Sequence, residues 1–198
     1  MNKGTEVSTI DVVLVTVTTS GETPKEIGLN TSNKIEVTLS TETTDAVKNI
    51  VKGVLLAQKP SQVTVTGNEI KLTDNVFNPE LVKILQGGTI TYWQDAEKKT
   101  SGETATAFGV AGYKPPVAGS TEKGEIFSLS AYSAIYNAAG IITGYEKISY
   151  PNCQGQPVSF GAEDGTFTAP EYTINSAPDT GEAPYAIDFI STLPTFTA

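Results

Sequence analysis

Residues 11–19 read Asp-Val-Val-Leu-Val-Thr-Val-Thr-Thr, and this run constrains the fold more than any other feature of the chain. Valine and threonine are branched at Cβ and fit a pleated strand better than a helix. Along a strand, side chains alternate between two faces. Val12, Leu14, Thr16 and Thr18 then share one face, and Val13, Val15 and Val17 the other. Both faces are apolar. Such a strand needs cover on both sides, from its own core or from a neighbouring subunit.

The rest of the chain repeats the theme with variations. Residues 33–40 alternate cleanly, with Ile35, Val37 and Leu39 opposite Lys34, Glu36, Thr38 and Ser40, the pattern of a half-buried strand. Residues 44–59 are ambiguous. Val47, Ile50, Val51, Val54 and Leu55 match a helical stripe with Thr44 or Asp45 as cap, yet Gly53 interrupts it. The reading adopted is a short helical start and a strand after Gly53. Strand pieces follow at 63–66 and 69–73, around Gly67-Asn68.

The clearest element is a helix over residues 79–86. Asn78 is a good N-cap, Pro79 suits the first helical position, Glu80 favours the positive end of the dipole, and Gly87 can end the helix in the left-handed region. Further strands are expected at 89–94, 104–111, 125–136, 141–150, 158–161, 166–174 and 185–190. A hairpin turn falls at Asn137-Ala138-Ala139-Gly140, and a second turn at Glu163-Asp164-Gly165. The 18 glycines and 11 prolines punctuate the chain as often as so many turns require. The expectation is a mainly β, sandwich or barrel-like domain over residues 1–198, with one short helix and an excursion at 95–124 that reaches a neighbour.

Chemistry is constrained by what is missing. The chain has no histidine, which removes Ser-His-Asp and Cys-His nucleophilic systems and the commonest transition-metal ligand. The single cysteine, Cys153, has no thiol partner, so neither an internal disulfide nor a zinc site is expected. Residues 102–109 contain glycines but lack the lysine-serine/threonine ending of a phosphate-binding loop. The acid pairs Glu163 with Asp164 and Asp179 with Glu182 could serve a glycosidase, but both sit in glycine-flanked turns and read as solvated. The Asn30-Thr31-Ser32 sequon is read as chance. No catalytic, cofactor-binding or metal-ligating residue is assigned, no cofactor is expected, and the chain is not read as an enzyme.

Charge and aromatics leave two readings each. The net charge of −9 argues against phosphate recognition, and means either simple solubility or a surface that lets a polyanion pass without sticking. Tyr92 with Trp93, and Tyr132, Tyr136, Tyr145 and Tyr150 along the hairpin, are either a sugar-stacking platform or core and interface packing, the second being preferred. The polar start of the chain and the short, threonine-rich run at 10–17 suggest neither an export signal nor a membrane anchor. Synthesis and assembly in a bacterial cytoplasm, with release by lysis, is the corresponding expectation.

Two stretches carry a family resemblance. One is Val51-Lys52-Gly53-Val54-Leu55-Leu56-Ala57-Gln58-Lys59-Pro60 with residues 67–89, ending Asn78-Pro79-Glu80-Leu81-Val82-Lys83-Ile84-Leu85-Gln86-Gly87-Gly88-Thr89. The other runs from Tyr145 to Phe160, including Tyr150-Pro151-Asn152-Cys153-Gln154-Gly155, and continues through Phe167-Thr168-Ala169-Pro170-Glu171-Tyr172. Both resemble major tail tube proteins of phages and prophages from Gram-positive bacteria. The resemblance implies six subunits in a ring, an inner β-barrel shared among them, and rings stacked into a hollow virion tail tube that delivers DNA without binding it. It implies tape-measure, tail terminator and tip proteins as partners, with or without a contractile sheath. It carries no catalytic residues. The alternative is a β-sandwich carbohydrate-binding or adhesin module of a tail tip or cell surface.

Overall fold

The computed structural model describes residues 8–52, 54–92, 109–159, 161, 164 and 169–195. The fold is mainly β. In chain order it comprises β1 (Thr9–Thr19), β2 (Glu26–Leu29), β3 (Ser32–Thr44), β4 (Val47–Val51), β5 (Val54–Lys59), β6 (Gln62–Asp74), α1 (Pro79–Gln86), β7 (Thr89–Tyr92), β8 (Val110–Lys114), β9 (Phe127–Tyr136), β10 (Ile142–Gly155), β11 (Glu171–Ser176) and β12 (Ala186–Ile190). One antiparallel sheet runs β2-β1-β9-β10-β11-β6-β3, with β12 also paired to β10. Two small hairpins, β4-β5 and β7-β8, stand apart from it.

The core lies on one face of this sheet. Val15 and Val17 of β1, Phe127 and Leu129 of β9, Tyr150 and Cys153 of β10, Tyr172 and Ile174 of β11, and Ile70 and Leu72 of β6 form one cluster. Helix α1 closes it with Leu81, Val82, Ile84 and Leu85. The helix forms as its sequence predicts: the Asn78 side chain accepts from the backbone N–H groups of Glu80 and Leu81 at 3.0 and 3.2 Å, and Gly87 follows with φ 83°. Glycine at 155 lets α1 settle on the sheet, because a Cβ there would stand 2.5 Å from Leu85 Cβ.

Residues 14–17 of β1 are buried on both faces, as its double apolar pattern requires. Its face assignment differs from simple alternation. Ile10 pairs with Ala134, Val12 with Ser133 and Leu14 with Tyr132, so β1 spends two residues for each one of β9 across two successive bulges. Asp11 sits at φ 62° beside them. The bulges turn Val12 onto the core face with Val15 and Val17, rather than leaving it with Leu14 and Thr16.

A further bulge organises β10. Tyr150 pairs with Leu129 and Cys153 with Phe127, so one residue is extra, and Asn152 takes φ 47°. Asparagine tolerates the left-handed region, and proline is accepted in strands at bulges. Before this kink, Tyr145 to Ser149 pair with β12; after it, Cys153 to Gly155 pair with β11. β9 holds the other edge of β10 from Ile142 to Cys153. Strands β11 and β12 therefore follow one another along the same edge.

Other expectations need correction. Residues 44–51 form no helix: Val47–Val51 is a strand, paired with Val54–Lys59 across Lys52-Gly53, with Lys52 at φ 50°. β-branched valines at 47, 51 and 54 and a two-residue turn outweigh the helical stripe. The pieces at 63–66 and 69–73 are one strand, β6, with a bulge near Thr66. Residues 33–40 lie within the longer β3, but Val37 and Leu39 stand 39% and 46% exposed, so this strand is not half-buried within the chain. Val158 and Ser159 are irregular; the Val158 N–H donates to the Gln86 side chain at 2.8 Å instead of to a strand. Strand β2 was not foreseen. The turn at Asn137 forms as expected, its side chain accepting from Ala139 and Ile141 N–H.

Candidate functional site: an exposed apolar arm

Strands β3 and β6 pair over their full length, from Ser32 opposite Asp74 to Thr44 opposite Gln62. Immediately beyond, β4 and β5 continue as a pair from Val47 opposite Lys59 to Val51 opposite Val54. Together they make a two-stranded arm that leaves the sheet at the end of β6 remote from α1. At about 3.3 Å per residue, the 13 residues of β6 put roughly 40 Å between the two ends.

The arm is apolar and bare. Every residue of β4 and β5 is exposed. Val47, Val54 and Leu56 are 60–66% exposed, Ile50 and Leu55 over half, and Val63 and Val65 continue the surface on β6. A two-stranded ribbon is marginal alone in water. Exposed apolar area of this extent on one element marks an interaction surface. Its charge also stands apart. Residues 46–68 hold Lys48, Lys52 and Lys59 and no acid, a charge of +3, which leaves −9 − 3 = −12 on the rest of the chain. Lysines on exposed edges discourage indiscriminate strand pairing.

The described part of the 95–124 excursion is folded back. β8 pairs with β7, the Tyr113 hydroxyl donates to Gly87 O at 2.7 Å, and Glu125 N–H donates to Ile84 O at 2.8 Å. Residues 95–108 lie outside the described residues. The exposed apolar arm is β4 and β5, over 47–59. A sequence signal for it existed: a dense apolar, β-branched stretch with no acid between Asp45 and Glu69.

The other residues singled out by sequence disperse. Cys153 is fully buried, and burial pushes its thiol up to about 11. Asp179 and Glu182 are exposed in a turn, where Glu182 N–H donates to Asp179 O at 3.0 Å. Asp164 is exposed, and Glu163, Trp93, Phe160 and Phe167 lie outside the described residues. Tyr132, Tyr136 and Tyr145 share the face opposite the core, with Tyr132 buried, while Tyr150 lies in the core, where burial pushes its phenol up to about 12. The Tyr92 hydroxyl donates to Glu80 at 3.1 Å. Among the described residues no three acids and thiols gather as a metal site, and no helix is long and apolar enough to cross a membrane.

A groove of about 420 Å3 lies near the α1 end, lined by Ile126, Asn152, Gln154, Gly155, Asn175, Ala177 and Asp179.

No protein-family model matches the sequence, and no curated protein matches it. Two solved assemblies contain chains of similar outline. One is the anti-feeding prophage baseplate, 9% identical over 95% of this chain and 98% of that one, with a TM-score of 0.38. The other is the sheath–tube complex of an extracellular contractile injection system, PVC, in its extended state, 13% identical over 92% of each chain, with a TM-score of 0.36. Likeness at this level assigns no function.

Proposed function

We propose that this chain is a non-catalytic, self-assembling structural subunit, the major tail tube protein of a phage or phage-like tail. The observation that carries this reading is the arm. Its large apolar side chains are uncovered in the single chain, and covering half of one such side chain is worth roughly 1 kcal/mol. Repeated over the arm, this is ample drive for association. The two tube-like stretches support the same reading, since the first of them includes β5, the core half of β6 and α1. Rings close through side-to-side contacts, and open-ended contacts between rings make a tube. Tape-measure, terminator and tip proteins, and a sheath where one exists, are the partners this role brings. The acidic remainder of the chain suits a conduit that does not retain DNA. Every cation is a lysine, and the chain has no arginine for bidentate phosphate contacts.

Electron microscopy of the purified protein at high concentration tests the reading. Rings or hollow tubes are expected, and a strictly monomeric field would overturn it. Assembled particles are also expected to show negligible affinity for duplex DNA at low salt.

A second reading has one observation in its favour. Asn152, Gln154, Asn175 and Asp179 line a groove, and among the described residues their side chains make no hydrogen bond. Such a set suits a hydroxyl-rich ligand, as in a carbohydrate-binding module. Retention on a polysaccharide column that Asn175→Ala abolishes would favour it over the tube.

A further inference from the structure

The main sheet is forked. β11 joins β10 to β6 over Asn68 to Thr73. Beyond Ser176 the chain loops out and returns as β12, which keeps to the edge of β10. Along the same lane, β6 continues from Gly67 back to Gln62 but pairs only with β3. Among the described residues, the outward edges of β12 and of residues 62–67 therefore have no partner strand. Unpaired edges carry free N–H and C=O groups and are templates for an added strand. At the root of the fork the Asn68 amide donates to Pro184 O at 2.7 Å, while its buried Oδ1 has no partner among the described residues.

Both prongs are apolar on the core-facing side. Val63 and Val65 of β6 pair with Thr43 and Thr41 on one prong. Ile187 and Phe189 of β12, opposite Ile148 and Glu146, are 47% and 60% exposed on the other. Ile148, opposite Ile187, packs against the core cluster, and Ile187 and Phe189 extend that face with their side chains exposed.

We propose that the fork receives the β4-β5 arm of a second copy of this chain, which adds its strands to the open edges and covers Phe189 and Val65. This rests on the self-assembly reading and specifies its contact. Three features select the arm as occupant. It is a ribbon whose two outer edges have no partner strand among the described residues. Its strands of five and six residues match the five of β12 and the six of the open β6 edge. Its three lysines suit Glu146, which lies opposite Phe189 on the core-facing side of the fork, while Asp188 faces Lys147 on the other side. Insertion is β-augmentation, with main-chain bonds giving affinity and alternate side chains giving register. Each copy donates one arm and receives one, a heterologous contact that repeats into a ring or filament.

Cross-linking of the full chain decides the matter. Leu55→Cys with Ile187→Cys places thiols on arm and fork, both at exposed positions, and the native Cys153 is buried. Oxidation is expected to convert most of the chain into a ladder of disulfide-linked oligomers, with the β-sheet circular dichroism unchanged. The comparison variant pairs Leu55→Cys with Asp179→Cys in the groove near α1. Assembly with cross-linking there, and none at 187, overturns the fork contact and leaves the tube reading standing. A monomeric field with neither ladder overturns both. Phe189→Asp is expected to raise the concentration needed for assembly about tenfold or more; an unchanged threshold overturns the fork contact.

Discussion

Strand β6 passes through two environments. From Asn68 to Asp74 buried residues alternate with partly or fully exposed ones, with Ile70 and Leu72 inaccessible to solvent. From Gln62 to Thr66 every residue is exposed. Composition does not separate the halves, for valine and threonine dominate the exposed one. What separates them is the neighbour across the strand. The inner half has β11 beside it and α1 over its face, and the outer half has β3 alone. Burial here follows from topology, and an apolar strand left outside the topology becomes a surface for another molecule.

The comparison predicts opposite behaviour for substitutions at the two ends. Phe127→Ala in the base should cost about 3–5 kcal/mol, read as a lower urea midpoint, because the ring is fully buried and its removal leaves a cavity. Raising the pH sharpens the same contrast. Burial lifts the Cys153 thiol from 9.0 to about 11 and the Tyr150 phenol from 10.0 to about 12. The folded state then holds these protons more tightly than the unfolded one, so their contribution is complete below pH 9 and lost as pH rises towards 11–12. The melting temperature should fall by a few degrees across that window, and Cys153→Ala should remove the earlier part of the fall. Asn78→Ala should cost about 1 kcal/mol by leaving two N–H groups of α1 uncapped. In the arm, Leu56→Asp should change unfolding of the single chain by less than about 0.5 kcal/mol, yet suppress assembly by sedimentation velocity. A large loss of monomer stability from Leu56→Asp would break the comparison.

How far the sequence could be read follows the same division. The helix was legible to the residue because its signals are local: an asparagine cap, a proline in the first turn, a glycine after the last. Strand β1 was legible from its run of β-branched residues, β9 from the hairpin turn at Asn137, β12 as a final strand, and β5 from the run after Gly53. The helical start at 44 failed because a stripe of Val47, Ile50, Val51 and Val54 fits both periods, and only pairing with β5 chooses between them. An arm was also expected at 95–124 on the strength of loop-forming residues, of which 95–108 lie outside the described residues. Residues 46–68 carried the stronger signal in their apolar density and lack of acids, but alternation cannot tell a strand facing a core from one facing solvent.

By itself, then, the sequence determined a mainly β chain, one capped helix at 79–86, and a strand over 11–19 that needs cover on both faces, since propensity, capping and double-sided apolarity act over a few residues. Tertiary structure alone decided the bulges that turn Val12 inward, the kink at Asn152 that divides the edge of β10 between β11 and β12, and the fork that leaves Phe189 and Val65 bare. Each of these depends on which strands lie side by side, and that is fixed by contacts between residues distant in the chain.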